Sequence, residues 1–271
     1  MFLRTDLAIE AHLAQKGRVA GVSVETTTEN EIKITRMEIK SEQAARKLKK
    51  SVGNYITVEL NNIADGMAET DGAACLIAKE LTALAGDFST ALVIGIGNPN
   101  ITADALGPKT ANGVLATRHI KKEFAESIGL KGLKNVAVLS PDVLGKTGME
   151  VVEIIKSVCK ITNPDIIIAV DALAAADNSR LGNTVQINDS GFSPGSGIGN
   201  RRKEISENTL GVKVIAMGVP TVANLPDGKE NLIVTLRDID LLTQRAAELL
   251  AHSINFALQP NISREVLLSL I

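Results

Sequence analysis

The sequence predicts an α/β fold, a three-layer twisted and mostly parallel sheet flanked by helices, with a β-rich N-terminal subregion. Three observations carry this expectation. From residue 91 onward, short apolar runs alternate with amphipathic segments, the pattern of a parallel sheet covered on both faces by crossover helices. Residues 1–90 read differently, because 18–25, 31–39 and 54–61 alternate apolar with polar side chains as half-exposed antiparallel strands do. A chain of 271 residues, 45% of them hydrophobic, is long enough to bury a large core in one or two domains. We read 1–90 as a β-rich region packed on an α/β domain of 91–271, the two forming one compact unit.

Taken in order, the first expected helix covers 71–85 and stops at Gly86, whose backbone freedom suits a helix terminus. The buried strands are expected at 91–97, 135–139, 165–171, 183–187, 212–218 and 231–236. Between them the spacing predicts helices over 104–129, 147–161 and 238–258. The last of these places Leu242, Ala246, Leu249, Ser253 and Phe256 on one face.

Composition then excludes several function classes. With 29 basic and 31 acidic side chains the net charge is −2, and aromatic residues make up 2% of the chain, so neither a phosphate-binding footprint nor a base-stacking platform is present. Nucleic acid is not expected as a partner. Two cysteines, Cys75 and Cys159, cannot build a cysteine-rich zinc module and read as reduced core thiols. No apolar leader opens the sequence, and charged residues interrupt every apolar stretch well before about 18 residues, so a soluble, intracellular protein that binds no membrane is expected. With three His in the chain, polar chemistry must come largely from carboxylates.

In open α/β sheets, ligands bind beyond the carboxyl ends of the strands. Four such segments stand out. The run from Gly95 to Pro108 begins like a dinucleotide fingerprint but has Asn100 where the third glycine belongs. In it, Asp104 follows Thr102, a possible N-cap, and would lie in the first helical turn, where the macrodipole favours the ionised carboxylate; helix-start electrostatics alone explains it equally well. The run from Ser140 to Gly148 ends in Gly145-Lys146-Thr147, like a phosphate-binding loop, yet Ser140, Pro141 and Asp142 each depart from that motif. Lys146 remains able to hold a carbonyl oxygen or a carboxylate.

The third segment delivers Asp171 at the end of a buried apolar strand, where desolvation raises a carboxyl pKa. The bland alternative is a turn or cap residue. The fourth, from Asn188 to Arg202, carries four glycines within nine residues beside two arginines; it suits an anion or a peptide backbone, or equally a surface loop. Together these segments supply two aspartates of opposite expected pKa at the ends of two strands, the split pair that general acid and base catalysis needs.

At this point a family resemblance becomes specific. The runs Arg4-Thr5-Asp6-Leu7-Ala8-Ile9-Glu10, Gly97-Asn98, Asp104-Ala105-Leu106-Gly107-Pro108, Leu144-Gly145-Lys146-Thr147-Gly148, Val170-Asp171-Ala172-Leu173-Ala174-Ala175, Pro194-Gly195-Ser196-Gly197-Ile198-Gly199-Asn200 and Gly218-Val219-Pro220-Thr221-Val222 resemble, in this order over about residues 4–225, the spore germination proteases, also called gpr endopeptidases. The resemblance implies an endopeptidase that degrades small acid-soluble spore proteins at germination, made as a zymogen that processes its own N-terminus. It also implies a fold similar to hydrogenase maturation endopeptidases, assembly as a homotetramer, a place in the cytoplasm of the forespore and spore core, and no cofactor. It makes Asp104 and Asp171 the essential pair of an atypical aspartic protease. Beside them we take Asn98, Lys146, Gly195 and Gly197 as candidate substrate or oxyanion contacts.

This chain departs from the family pattern in having only three residues before Arg4, in Asp142 where glycine is usual, and in a short C-terminal part. Asp104 is expected to act as base and Asp171 as acid. The alternatives are a metal-dependent peptidase, for which His119 lies 15 residues past Asp104, or about 22 Å along a continuous helix, a non-catalytic anion- or nucleotide-binding module, and a purely structural α/β protein. Glu123-Phe124-Ala125 also resembles a cleavage site of this family, although a place in an amphipathic helix explains it as well.

Overall fold

The computed structural model describes residues 4–15, 17–65, 70–195, 202–227 and 230–270. Its strands are β1 (Val22–Glu29), β2 (Ile32–Ile39), β3 (Gly53–Glu59), β4 (Thr90–Gly95), β5 (Asn135–Leu139), β6 (Ile166–Ala175), β7 (Thr184–Asn188), β8 (Lys213–Asp227) and β9 (Glu230–Val234). The helices are α1 (Ala8–Leu13), α2 (Glu42–Leu48), α3 (Thr70–Ala85), α4 (Leu106–Asn112), α5 (Lys122–Ser127), α6 (Leu144–Thr147), α7 (Val151–Thr162), α8 (Glu207–Leu210), α9 (Ile239–Leu258) and α10 (Arg264–Ser269). Among the described residues no helix is long and apolar enough to cross a membrane.

One sheet joins both halves of the chain in the order β1-β2-β3-β7-β8-β6-β4-β5, with β9 pairing the far end of β8. The fold class is α/β as expected, and the sheet is mixed. Pairings β8–β6, β6–β4 and β4–β5 are parallel, whereas the other five among the described residues are antiparallel. The β-rich N-terminal region enters this sheet through β3, which pairs with β7.

Alternation along β6 explains the three layers. Ile166, Ile168 and Val170 pack with Ile77 and Leu81 of α3 and with Leu249 and Ile254 of α9, while Ile167 and Ala169 pack on the other face with Ile155 of α7. A strand covered on both faces has to be apolar throughout, which is why these runs lack the alternation seen in residues 1–90. On α9, Leu242, Ala246, Leu249 and Ser253 are buried and Phe256 half-buried, as the spacing predicts.

Several boundaries differ from expectation for identifiable reasons. The first strand begins at Val22 rather than residue 18, because Gly21 turns the chain with φ +82°. Strands β6 and β8 continue past 171 and 218, pairing with each other as far as Ala175 and Ala223 through a register shift between Leu173 and Ala174. The single helix expected over 104–129 is broken. Gly113 packs against Ala251 of α9, and Asn255 bonds both Gly113 O and the Leu115 amide, so the chain leaves α4 and wraps β5 before α5 begins. The helix expected over 147–161 likewise becomes α6 and α7, separated at Gly148 with φ +71°. Cys75 and Cys159 are free thiols, each half-buried rather than in the core.

Candidate active site

The parallel strands set the site. Strand β4 ends at Gly95, level with Val170, so Asp171 is the first β6 residue that β4 no longer covers. It is not at a strand end, as expected, but inside β6, opposite Gly218 of β8. A side chain at 218 would strike the Asp171 carbonyl and lie 2.9 Å from Leu173 Cγ, so glycine is required for this close approach. Alternation with Ile167 and Ala169 sends the Asp171 side chain toward the α7 face, where it lines a cavity of about 1010 Å³ together with Asp6, Lys50, Tyr55, Gln186 and Ser190. Asp171 is 6% exposed and its Oδ1 accepts the Ala172 amide at 2.9 Å.

Asp104 comes from a loop folded back onto this point. After β4 the backbone turns at Gly97 with φ +129°, Ile101 N–H donates to Asn98 O, and Asp104 N–H donates to Ile101 O. The Asp104 carboxylate accepts the Asn98 amide at 2.8 Å. Two threonines fix the loop from outside: Thr221 of β8 donates to Ala103 O at 2.6 Å and Thr243 of α9 to Thr102 O at 3.1 Å. Gly107 completes the arrangement, because a Cβ there would lie 2.5 Å from Val170 O and collide with the Ile96 backbone. Its absence lets α4 start directly against β4 and β6, which brings Asp104 within electrostatic reach of Asp171.

The local chemistry differs from expectation at Asp104. The residue ends a 3-10 turn, Thr102–Asp104, whose N-cap is Ile101 with no side-chain cap, so Thr102 does not cap a helix and no helical first turn holds the carboxylate. Both aspartates are therefore shifted in the same direction, not in opposite ones. Burial pushes Asp104 above the usual carboxylate range, opposed by the Asn98 amide and reinforced by the negative charge of Asp142. Burial pushes Asp171 well above that range, with the charges of Asp104 and Asp6 adding to it. The split survives as a difference of degree. Asp171 is raised the further of the two, and the charge of Asp104 is among the causes.

The other expected contacts are only partly assembled. Asn98 serves Asp104 through its backbone N–H, while its side-chain oxygen accepts the Asn100 amide. Lys146 is paired with Asp142 at 3.1 Å, and Asp142 also accepts the Val143 amide. Gly195 lines the cavity with φ +72°, and Gly197 lies outside the described residues. Asp6, Lys50, Tyr55, Thr221 and Thr243 were not singled out for the site by sequence. Asp6 and Thr221 do fall within the matched runs, which is the signal that marks them. Tyr55 donates to Ser51 O at 2.8 Å and meets Ser190 Oγ at 2.7 Å, and burial pushes its phenol up to about 12.

His119 is exposed and, since the helix is broken, does not lie along one axis from Asp104. Among the described residues no three His, Cys, Asp or Glu side chains stand close enough to share a metal ion. What the arrangement offers is a pair of neighbouring carboxyls, both held above the usual range and Asp171 the more strongly, with Asp171 on the wall of the cavity.

Comparison with known proteins gives the family. The sequence model of the germination protease family matches residues 5–226. A germination protease of Clostridium tetani is 37% identical over 317 aligned positions, covering 98% of both chains, and one of Caldanaerobacter subterraneus subsp. tengcongensis is 37% identical, covering 97% of this chain and 96% of its own. A Geobacillus germination protease is 41% identical over 82% of this chain and 64% of its own. Among solved structures, a hydrogenase maturation protease of Thermococcus kodakarensis aligns with 65% of this chain and 98% of its own at 18% identity and a TM-score of 0.38. The chain belongs to the germination protease family, and it is an endopeptidase.

Proposed function

We propose that this endopeptidase opens the degradation of small acid-soluble spore proteins at germination, using Asp104 and Asp171 as its acid–base pair. The observation that carries the reading is the burial of Asp171 in the interior of β6 with Asp104 within electrostatic reach of it. In its ionised form Asp104 takes a proton from a water molecule, whose oxygen attacks the scissile carbonyl carbon. Asp171, still protonated, donates to the carbonyl oxygen as the tetrahedral intermediate forms, and a proton then passes to the amine as the C–N bond breaks. No cofactor is required in this scheme.

Family membership supports the substrate class, together with synthesis as a zymogen that removes its own N-terminal segment, assembly as a homotetramer, and a place in the cytoplasm of the forespore and spore core. The test is incubation of a purified small acid-soluble spore protein with the wild type, Asp104→Asn and Asp171→Asn, followed by mass spectrometry. Discrete fragments with wild type and none with either variant are expected. A variant retaining near wild-type cleavage overturns the pair, and activity lost on exhaustive chelation overturns the metal-free scheme. N-terminal sequencing and light scattering on the same samples test self-processing and the tetramer.

A further inference from the structure

The run Arg4-Thr5-Asp6-Leu7 has no place in the scheme above, yet it is bonded to the catalytic strand through both backbone and side chain. Asp6 N–H donates to Ala174 O at 2.8 Å, and Asp6 Oδ2 accepts the Ala174 amide at 2.9 Å. Gln186 of β7 accepts the Ala8 amide at 2.7 Å and donates to Asp6 O at 3.0 Å. Glu10 accepts the amides of Ala176 and Asp177 and the hydroxyl of Thr5, closing the end of β6. From the turn after α2, the buried ammonium of Lys50 donates to the carbonyl oxygens of Thr5 and Asp6 at 2.9 and 2.8 Å. The segment is thus fixed at both ends and from two sides. It delivers one carboxylate, Asp6, into the wall of the cavity that Asp171 lines.

We propose that Asp6 is a positioning residue for Asp171: the clamped N-terminal segment fixes the β6 backbone at its register shift and sets a like charge beside Asp171, keeping that carboxyl protonated for its role as acid. This rests on the Asp104–Asp171 reading. The charge balance around Asp171 is consistent with it, since burial, Asp104 and Asp6 all act in the same direction and only the Ala172 amide opposes them. Among the described residues, the other charged groups of the cavity come from α2 and the turn after it, with Glu42, Arg46, Lys49 and Lys50, from the β7-to-α8 connection, with Asp189, Arg202 and Glu204, and from the start of α8, with Glu207. They are of both signs. Lys50 acts on the segment rather than on Asp171, for it faces Asp6 and Glu10.

The experiment measures kcat/KM on a small acid-soluble spore protein across pH for the full-length wild type, Asp6→Asn, Gln186→Met and Asp171→Asn, with melting temperatures recorded at each pH. Asn keeps an acceptor for the Ala174 amide but removes the charge. Asp171 then loses its proton at lower pH, so the alkaline limb moves toward acid and kcat/KM on that limb falls roughly tenfold, with little change at the acidic side. Gln186→Met breaks two of the segment's bonds without altering any charge and should move the same limb the same way, by less. A loss equal at every pH, or an unchanged profile, in an Asp6→Asn protein that melts like wild type overturns the proposal while leaving the pair intact if Asp171→Asn is inactive. If Asp6→Asn melts early, the limb position in Gln186→Met decides, and a limb that stays in place overturns the proposal. An active Asp171→Asn overturns the pair and the proposal with it.

Discussion

The two aspartates are held by different kinds of structure. Asp171 is placed by sheet register: its backbone pairs with Gly218, its strand is bonded on both sides near this point, and its side chain is almost fully buried. Asp104 is placed by a loop whose position depends on the Asn98 amide, two threonine hydroxyls and the contact at Gly107. Register fixes a residue within the spacing of a pleat, whereas a hydrogen-bonded loop adjusts. The rigid position suits the group that must stay protonated in an apolar setting, and the adjustable one suits the group that meets water and substrate.

Replacing either residue by Asn should cost at least about 10³-fold in kcat/KM, the scale on which positioned acid–base groups act. Lengthening each side chain breaks the symmetry. Asp171→Glu carries its longer side chain on a backbone fixed by the pairing with Gly218, so its carboxyl is displaced and it should match the Asn variant, whereas Asp104→Glu should keep a measurable fraction of activity as its loop shifts. Equal residual activities in the two Glu variants would show that the loop is as rigid as the strand.

The contact that joins the two regions is the next largest effect. In Gly107→Ala the new methyl collides with Ile96 and Val170 backbone, and neither strand can move without breaking the parallel pairing of β4 and β6. Overpacking of this kind costs about 3 kcal/mol, or roughly 6–12 °C in melting temperature for a chain of this size. Calorimetry checks it. Activity should fall further than stability alone explains, because the methyl lifts Asp104 away from Asp171.

How much of this was legible in the sequence follows from the same contrast. The apolar runs that become β4, β5 and β6 announce a buried parallel sheet, since covering on both faces leaves no polar positions. The mixed character of the sheet is carried by β7, where Thr184, Gln186 and Asn188 alternate with Val185 and Ile187, but this five-residue strand stands in sequence between the buried parallel runs and so reads as one of them, while it pairs antiparallel with both β3 and β8. Asp171 was found through its apolar flanks, although the strand's continuation to Ala175 depends on a partner, Val219 to Ala223, far along the chain. Asp104 is marked by its neighbouring glycines and by the resemblance, but nothing local to it signals the burial that raises its pKa. The broken helix and the absent Thr102 cap are consequences of Asn255 and Thr243, residues of α9 with no local signature near Asp104. Asp6 is legible only as part of a matched run, for its partners on β6 and β7 lie more than 160 positions away and Lys50 lies 44 away.

Stability against pH separates the two residues again. A carboxyl whose folded pKa lies above its unfolded value favours folding in its protonated form, so its contribution is present below the unfolded value and is lost as pH rises toward the folded one. Both residues follow this sign, Asp171 more strongly, since its carboxyl is raised well above the usual range. Asp171→Asn removes the penalty and keeps an acceptor for the Ala172 amide. At neutral pH it should be more stable than wild type by about 1–2 kcal/mol, a gain that vanishes as pH falls below the ordinary aspartate range. Chemical denaturation at several pH values checks this, and a gain for Asp104→Asn larger than that for Asp171→Asn would reverse the ranking of the two sites.

The smallest effect tests which aspartate is the base. Asp142 lies across from Asp104, raises its pKa through like charge, and holds Lys146 in a pair with each side chain about one-third exposed. Asp142→Gly loses that exposed pair, worth about 0.3–0.5 kcal/mol, and the bond to the Val143 amide. It also relieves a left-handed backbone at φ +63°, which glycine adopts freely. These contributions oppose one another, so stability should change by less than about 0.5 kcal/mol. The pH profile is the sensitive readout. With the neighbouring charge gone, Asp104 ionises at lower pH, and if Asp104 is the base the acidic limb of kcat/KM extends downward, giving about a threefold gain there and none at neutral pH. Movement of the alkaline limb instead would mean that Asp104 works in its protonated form, and the roles of the loop and the strand would exchange.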